Sequence, residues 1–156
     1  MSQTTIPPVR SSVTVPIPPN QAFTLFTEGF NAWWIGHHIG QADLAEAVLE
    51  PREGGRWYER DVDGSECDWG TVLTFQPPER LVVTWQINSH LQYDPDRPRA
   101  SEVEVLFTEK DGHTQVDLEH RYIERHGEGA DVVARYVSGE GGWPPIMEGY
   151  ARAAAA

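Results

Sequence analysis

From about Val48 to His120, strand-like segments follow one another with no long helix between them. Only then does the chain turn helical, closing on Gly142-Trp143-Pro144-Pro145 and an apolar, alanine-ended run. That order predicts a sheet bent around one late helix, with the space between them as the place for function. Tryptophans bracket it, Trp33-Trp34 ahead of the strands and Trp143 behind them. No strong catalytic signature accompanies them.

The segments read as follows. Arg10 to Pro16 alternates around Val13 and Val15, a first strand ended by prolines that lack the ladder donor. Asn20 is placed to cap a helix reaching Phe26, and Trp33-Trp34 falls in a second short helix or turn stopped near Gly36. Strands follow at Ala47 to Glu50, Arg56 to Asp61, Asp68 to Phe75 and Leu81 to Ile87, with Gly54-Gly55, Asp63-Gly64 and Pro77-Pro78 as turns. Asn88 to Ala100 carries two prolines and mixed charges and is expected to be a mobile loop. Glu102 to Thr108 puts Val103, Val105 and Phe107 on one face, and Thr114 to His120 does the same with Val116, Leu118 and His120. Asp131 to Val137 makes two helical turns ended by Ser138-Gly139. In the last helix Trp143, Met147, Tyr150 and Ala154 recur at helical spacing, with Glu148 and Arg152 facing away. Pro144 and Pro145 suit its first turn, where a missing N–H costs little.

A length of 156 residues fits one domain, expected to span 1–156 with residues 1–9 as a flexible N-terminus. The net charge of −12 would repel a phosphate backbone or an anionic membrane surface, so neither nucleic acid nor membrane is an expected partner. Cys67 stands alone and forms no internal disulfide, in keeping with a reducing cytoplasm. Met1 to Arg10 has no apolar core of signal-peptide length, and no stretch approaches the ~18 apolar residues of a membrane span.

The chain resembles a known family at Trp33-Trp34, Gly54-Gly55, Gly70-Thr71-Val72, Pro77-Pro78-Glu79-Arg80-Leu81, Thr84-Trp85, Thr114-Val116-Leu118-His120 and Gly142-Trp143. These motifs, in this order, are similar to proteins like the C-terminal domain of the activator of the ninety-kilodalton heat-shock protein ATPase, within the START-like (SRPBCC) superfamily. The likeness runs from about Val13 to Ala153. It implies an α+β helix-grip fold: an antiparallel sheet wrapped around a C-terminal helix, with two short helices after the first strand. It also implies a cavity for hydrophobic or amphipathic small molecules. Two departures stand out: the late helix is broken from Ser138 to Gly142, and the 88–100 insert is long enough to act as a lid. The resemblance does not extend to the chaperone-binding N-terminal domain of the eukaryotic activators, so co-chaperone activity is not expected to carry over.

Such a fold brings aromatic residues from several elements together. The expected ligand-binding set is Trp33, Trp34, Tyr58, Trp69, Trp85, His120, Trp143, Met147 and Tyr150, since ligand pockets are mostly apolar and aromatic with few polar groups. Trp57 and Tyr58 are adjacent on a strand, so at most one looks inward. His120 follows the inward alternation and titrates near neutral pH when unperturbed, or else it sits at the rim beside a carboxylate. Arg56 and Arg60 share a face, and the sequence leaves open whether they meet a ligand carboxylate or water. Cys67 lies between Glu66 and Asp68, which raise a thiol's pKa and argue against a nucleophile. His37-His38 lacks the further ligands that zinc requires, so neither a metal nor a cofactor is expected.

The function expected is binding of a small hydrophobic or amphipathic ligand between sheet and C-terminal helix in a cytoplasmic protein, with a homodimer through an open strand edge also possible. The alternatives are a cyclase, hydrolase or dehydratase using the same cavity, with His120 and Arg56, Arg60 or Tyr58, and a chaperone-cofactor-like interaction module. The module requires an exposed apolar patch.

Overall fold

The structure, a computed structural model, describes residues 5–34 and 42–156. Strand β1 (Val9–Val15) leads through helix α1 (Pro19–Thr27) and the single turn α2 (Phe30–Trp33) into β2 (Leu44–Leu49), β3 (Arg56–Asp61), β4 (Glu66–Gln76), β5 (Arg80–Trp85), β6 (Ser101–Lys110) and β7 (His113–Arg121). Helices α3 (Ala130–Ser138) and α4 (Trp143–Ala155) complete the chain. All seven strands pair antiparallel in the order β1-β7-β6-β5-β4-β3-β2, so only the first strand leaves sequence order. Bulges between Trp57 and Tyr58 and between Val72 and Thr74 accompany the bend of this sheet around α4.

Alternation decides what each strand buries. Val103, Val105 and Phe107 of β6 lie beside Val116 and Leu118 of β7 in the core, and β5 adds Leu81 and Val83. Against this concave face α4 lays the stripe Trp143, Ile146, Met147, Tyr150 and Ala154, all buried. Phe23 and Phe26 of α1 meet Phe107 edge-on, and Phe26 also meets Tyr150. The Tyr150 hydroxyl donates to the Ala22 carbonyl at 2.7 Å, joining the last helix to the first. Tyr150→Phe is expected to cost about 1–1.5 kcal/mol, the net worth of the buried hydrogen bond it removes. Urea unfolding of the two proteins measures it.

Several local expectations are corrected. Pro18, not Asn20, occupies the N-cap of α1, because the prolines start the helix themselves with Pro19 at its first position. β2 begins at Leu44, three residues before Ala47. The N-terminal stretch is tied down earlier than residue 10: the Ile6 amide donates to Glu124 Oε1 and Val9 already pairs with His120. The 88–100 segment is a hydrogen-bonded structure, not a free loop. Asn88 Oδ1 accepts the His90 and Gln92 amides, Ile87 bridges Tyr93, and Arg97–Arg99 forms a 3-10 turn. A second such turn, Ile123–His126, had no sequence signal and carries Ile123 and His126 into the interior.

The break in the late helix is real. At the α3–α4 junction a Cβ on Gly142 would lie 2.0 Å from the Val137 carbonyl oxygen, an approach only glycine allows. This junction delivers Trp143 to the mouth of the sheet.

Candidate functional site

An apolar groove opens at one end of the concave face, between the 88–92 turn and the α3–α4 junction. Its inner part is walled by Trp34, Trp69, Trp85, Trp143, Ile87, Val137 and Ile146 and holds only about 20 Å³ of free space. Its outer part adds Asn88, Ser89, Val132 and Val133 and holds about 120 Å³. Trp85, Ile87, Leu91 and Tyr136 line both, so the two parts are continuous. Among the described residues, aromatic rings fill the inner part of this groove and leave it narrow. Trp34 lies 5.2 Å from Trp69 and 6.3 Å from Trp143, and Trp85 lies 5.6 Å from Trp143.

Local geometry places the groove's parts. Leu91 sits at the tip of the 88–92 turn with φ of 59°, 41% exposed, an unusual setting for a large apolar residue. Gly129, with φ of +85°, lets Ser89 approach so closely that a Cβ would come within 2.3 Å of its Oγ. The turn thus rests against the start of α3. Tyr136 comes from the same helix, and burial pushes its hydroxyl up to about 12.

Of the nine expected residues, Trp34, Trp69, Trp85 and Trp143 meet in the groove. Trp33, Met147 and Tyr150 lie deeper, where Trp33 Nε1 donates to the Leu25 carbonyl and Met147 is fully buried. They serve the packing between α1, α2 and α4. Tyr58 is on the opposite face of the sheet: Trp57 turns inward against Trp69 and Trp85, and Tyr58 is covered by the Arg56 guanidinium 3.9 Å above its ring. Arg56 and Arg60 share that convex face and pair with Glu66, Asp68 and Glu46, so neither reaches the groove. Trp57 keeps a buried Nε1 with no hydrogen-bond acceptor among the described residues, one layer behind the groove tryptophans.

His120 overturns the rim reading. It is completely buried, its ring nitrogens meet Trp143 and Ser101 and not a carboxylate, and burial with the nearby His126 lowers its pKa to about 3. Its Nδ1 accepts the Trp143 indole N–H at 3.0 Å, and its Nε2 lies 2.7 Å from Ser101 Oγ. The same hydroxyl lies 2.8 Å from His126 Nε2. His126, also buried, is lowered to about 4 mainly by desolvation. Both imidazoles are neutral at pH 7. They stand behind the groove wall rather than in it.

For metal or cofactor chemistry, one cluster has suitable donors among the described residues. Oxygens of Glu59 and Asp61 and the Cys67 sulfur lie within 4.8 Å of one another. Glu59 Oε1 already accepts the Trp69 indole N–H at 3.0 Å. Burial, then Glu59 and Asp61, raise the Cys67 thiol pKa, which keeps it protonated and a poor nucleophile. His37 and His38 lie outside the described residues.

Residues that the sequence did not single out are Leu91, Tyr136, Ser101 and His126. Tyr136 had a weak signal, its place one residue from the apolar Val133/Val137 face of α3. Ser101 and His126 had none, because their meeting depends on strand pairing and on the 3-10 turn.

A seven-stranded antiparallel sheet gripping a terminal helix, with an aromatic groove at its open end, defines a START-like (SRPBCC) protein. Within that superfamily the chain belongs to the family described as activator of Hsp90 ATPase homolog 1-like protein, which it matches over residues 16–152. It is 38% identical to Txn09, described as an anthrahydroquino-γ-pyrone synthase, over 97% of this chain and 99% of that one, with a TM-score of 0.66. It is 34% identical to CalC, a self-sacrificing resistance protein from Micromonospora echinospora, over 95% of this chain and 94% of that one, with a TM-score of 0.67. An Hsp90 activator from Plasmodium falciparum shares the fold at 22% identity over 82% of this chain and 83% of that one, with a TM-score of 0.53. No curated protein sequence matches the chain. No helix among the described residues is long and apolar enough to cross a membrane.

Proposed function

We propose that the protein binds a neutral, planar aromatic small molecule in this groove. The observation that carries the reading is the convergence of Trp34, Trp69, Trp85 and Trp143, from four separate segments, on a groove whose Asn88 amide and Ser89 hydroxyl belong to its outer part. Flat indole walls favour a flat occupant through stacking and edge contacts. A charged occupant would be desolvated without a partner. The name of the 38% identical synthase points the same way, to fused rings carrying oxygen.

Ligand pockets of drug size run to about 300–1,000 Å³, well above the space present. Binding therefore displaces the Leu91 turn, the exposed side of the groove. Titration with neutral multi-ring compounds should perturb tryptophan emission saturably at micromolar concentration; a folded protein that responds to none of them refutes the reading. Leu91→Asp should weaken such binding at least about ten-fold by placing a charge at an apolar mouth. Stability should change by no more than about 0.5 kcal/mol, as at other exposed positions.

A second reading, cyclisation of the bound molecule, is favoured by the near end-to-end 38% identity to that synthase. Tyr136 and Ser89 carry the side-chain hydroxyls of the groove, and Tyr136 is the one that also lines its inner part. Under this reading a ligand hydroxyl adds to a conjugated ketone side chain and its proton passes to the carbon beside the carbonyl, so nothing leaves. Tyr136→Phe retains binding and loses this isomer, followed by chromatography with a hydroxyanthraquinone that carries an unsaturated ketone beside the hydroxyl. Product formed equally by both proteins rules Tyr136 out.

A further inference from the structure

We propose that Trp143, His120, Ser101 and His126 form a one-way hydrogen-bonded relay that fixes the Trp143 indole as a groove wall, which makes His120 and Ser101 positioning residues for ligand selectivity. Neither lines the groove. Its bearing on ligands rests on the binding reading above; its geometry does not.

Chemistry dictates the direction. An indole N–H only donates, so His120 Nδ1, 3.0 Å away, must be the bare nitrogen. A neutral ring then carries its proton on Nε2 and donates it to Ser101 Oγ at 2.7 Å. The serine's own proton is left for His126 Nε2 at 2.8 Å, a better acceptor than the Trp85 carbonyl at 3.4 Å. Every link is buried, so water offers no substitute. The far end of the relay reaches the other wall of the groove. The His126 carbonyl accepts Arg99 Nη2 at 3.0 Å, and Arg99 pairs with Asp94. Asp94 is bonded through its backbone to Gln86, at the foot of the turn that carries Leu91. One chain of bonds thus sets the distance between the two sides of the groove.

Nitrogen-15 spectra of the histidine rings at pH 7 test the direction in the wild-type protein, with no variant needed. The relay requires His120 as the Nε2–H tautomer and His126 as the Nδ1–H tautomer; a charged His120, or its Nδ1–H form, overturns it. Ser101→Ala then removes the middle link. The Trp143 indole N–H resonance, assigned by its disappearance in Trp143→Phe, should move and exchange faster with solvent. The ratio of dissociation constants for two neutral probes, prodan and anthraquinone, should change by about three-fold or more, as for residues coupled to a site without touching it. A folded Ser101→Ala protein with an unmoved indole resonance and an unchanged ratio also overturns the proposal. If the wild type binds neither probe, the binding reading fails, while the tautomers and the indole still decide the relay.

Discussion

Trp143→Ala is expected to destabilise the protein by about 3–5 kcal/mol, the range for removing a large aromatic from a packed interior. The indole is 2% exposed and packs against Trp34, Trp85 and His120. Its loss would open a cavity between sheet and helix and leave His120 Nδ1 buried without a donor. Trp143→Phe keeps much of the ring volume but not the N–H, so it should cost only about 1–3 kcal/mol, mostly from the orphaned nitrogen. Denaturant unfolding of the three proteins measures both. An alanine effect under about 1 kcal/mol, typical of exposed sites, would mean that α4 does not seat this ring against the sheet.

Acid should weaken the fold well before the carboxylates are protonated. Free histidine takes up a proton near pH 6.5, but buried His126 and His120 resist until about 4 and about 3. Between those limits the unfolded chain holds more protons than the folded one, so stability rises with pH and is lost as pH falls below about 6.5. Each histidine contributes at most about 1.4 kcal/mol per pH unit, and the pair about 2.7 where both are charged only in the unfolded chain. From pH 7 to pH 4.5 the total loss is on the order of 4–5 kcal/mol from these two groups. His120→Gln should flatten the slope between pH 6 and 4.5 by about one proton's worth. A variant whose slope equals that of the wild type would show that His120 is not the buried neutral group the relay requires. Carboxylates held low by partners, such as Glu66 beside Arg56 and Arg60, act in the same direction only at lower pH.

Periodicity marked the strands and the last helix well because each has one buried face. Val103, Val105 and Phe107 alternate, and Trp143, Met147, Tyr150 and Ala154 recur by helical turns; both stripes are buried in the structure. Tyr58 was misplaced because alternation shows that neighbours point apart but not which one points inward. A guanidinium on each side of it, at Arg56 and Arg60, makes the convex face its place. The 88–100 segment looked free because its prolines and charges suit a loop. Its order comes from single hydrogen bonds, such as Asn88 to the Gln92 amide and Arg99 to the His126 carbonyl, that leave no periodic trace.

Residue order alone thus established a sheet closed by a terminal helix and an aromatic lining, since burying one face of each element demands a repeat that can be read along the chain. The narrowness of the groove, and the neutral His120 behind its wall, were decided in three dimensions. Both arise from side chains distant in the chain, Trp143 with His120 and Ser101 with His126. Their meeting depends on strand register and on how tightly α4 packs, and neither quantity is written in any local stretch of sequence.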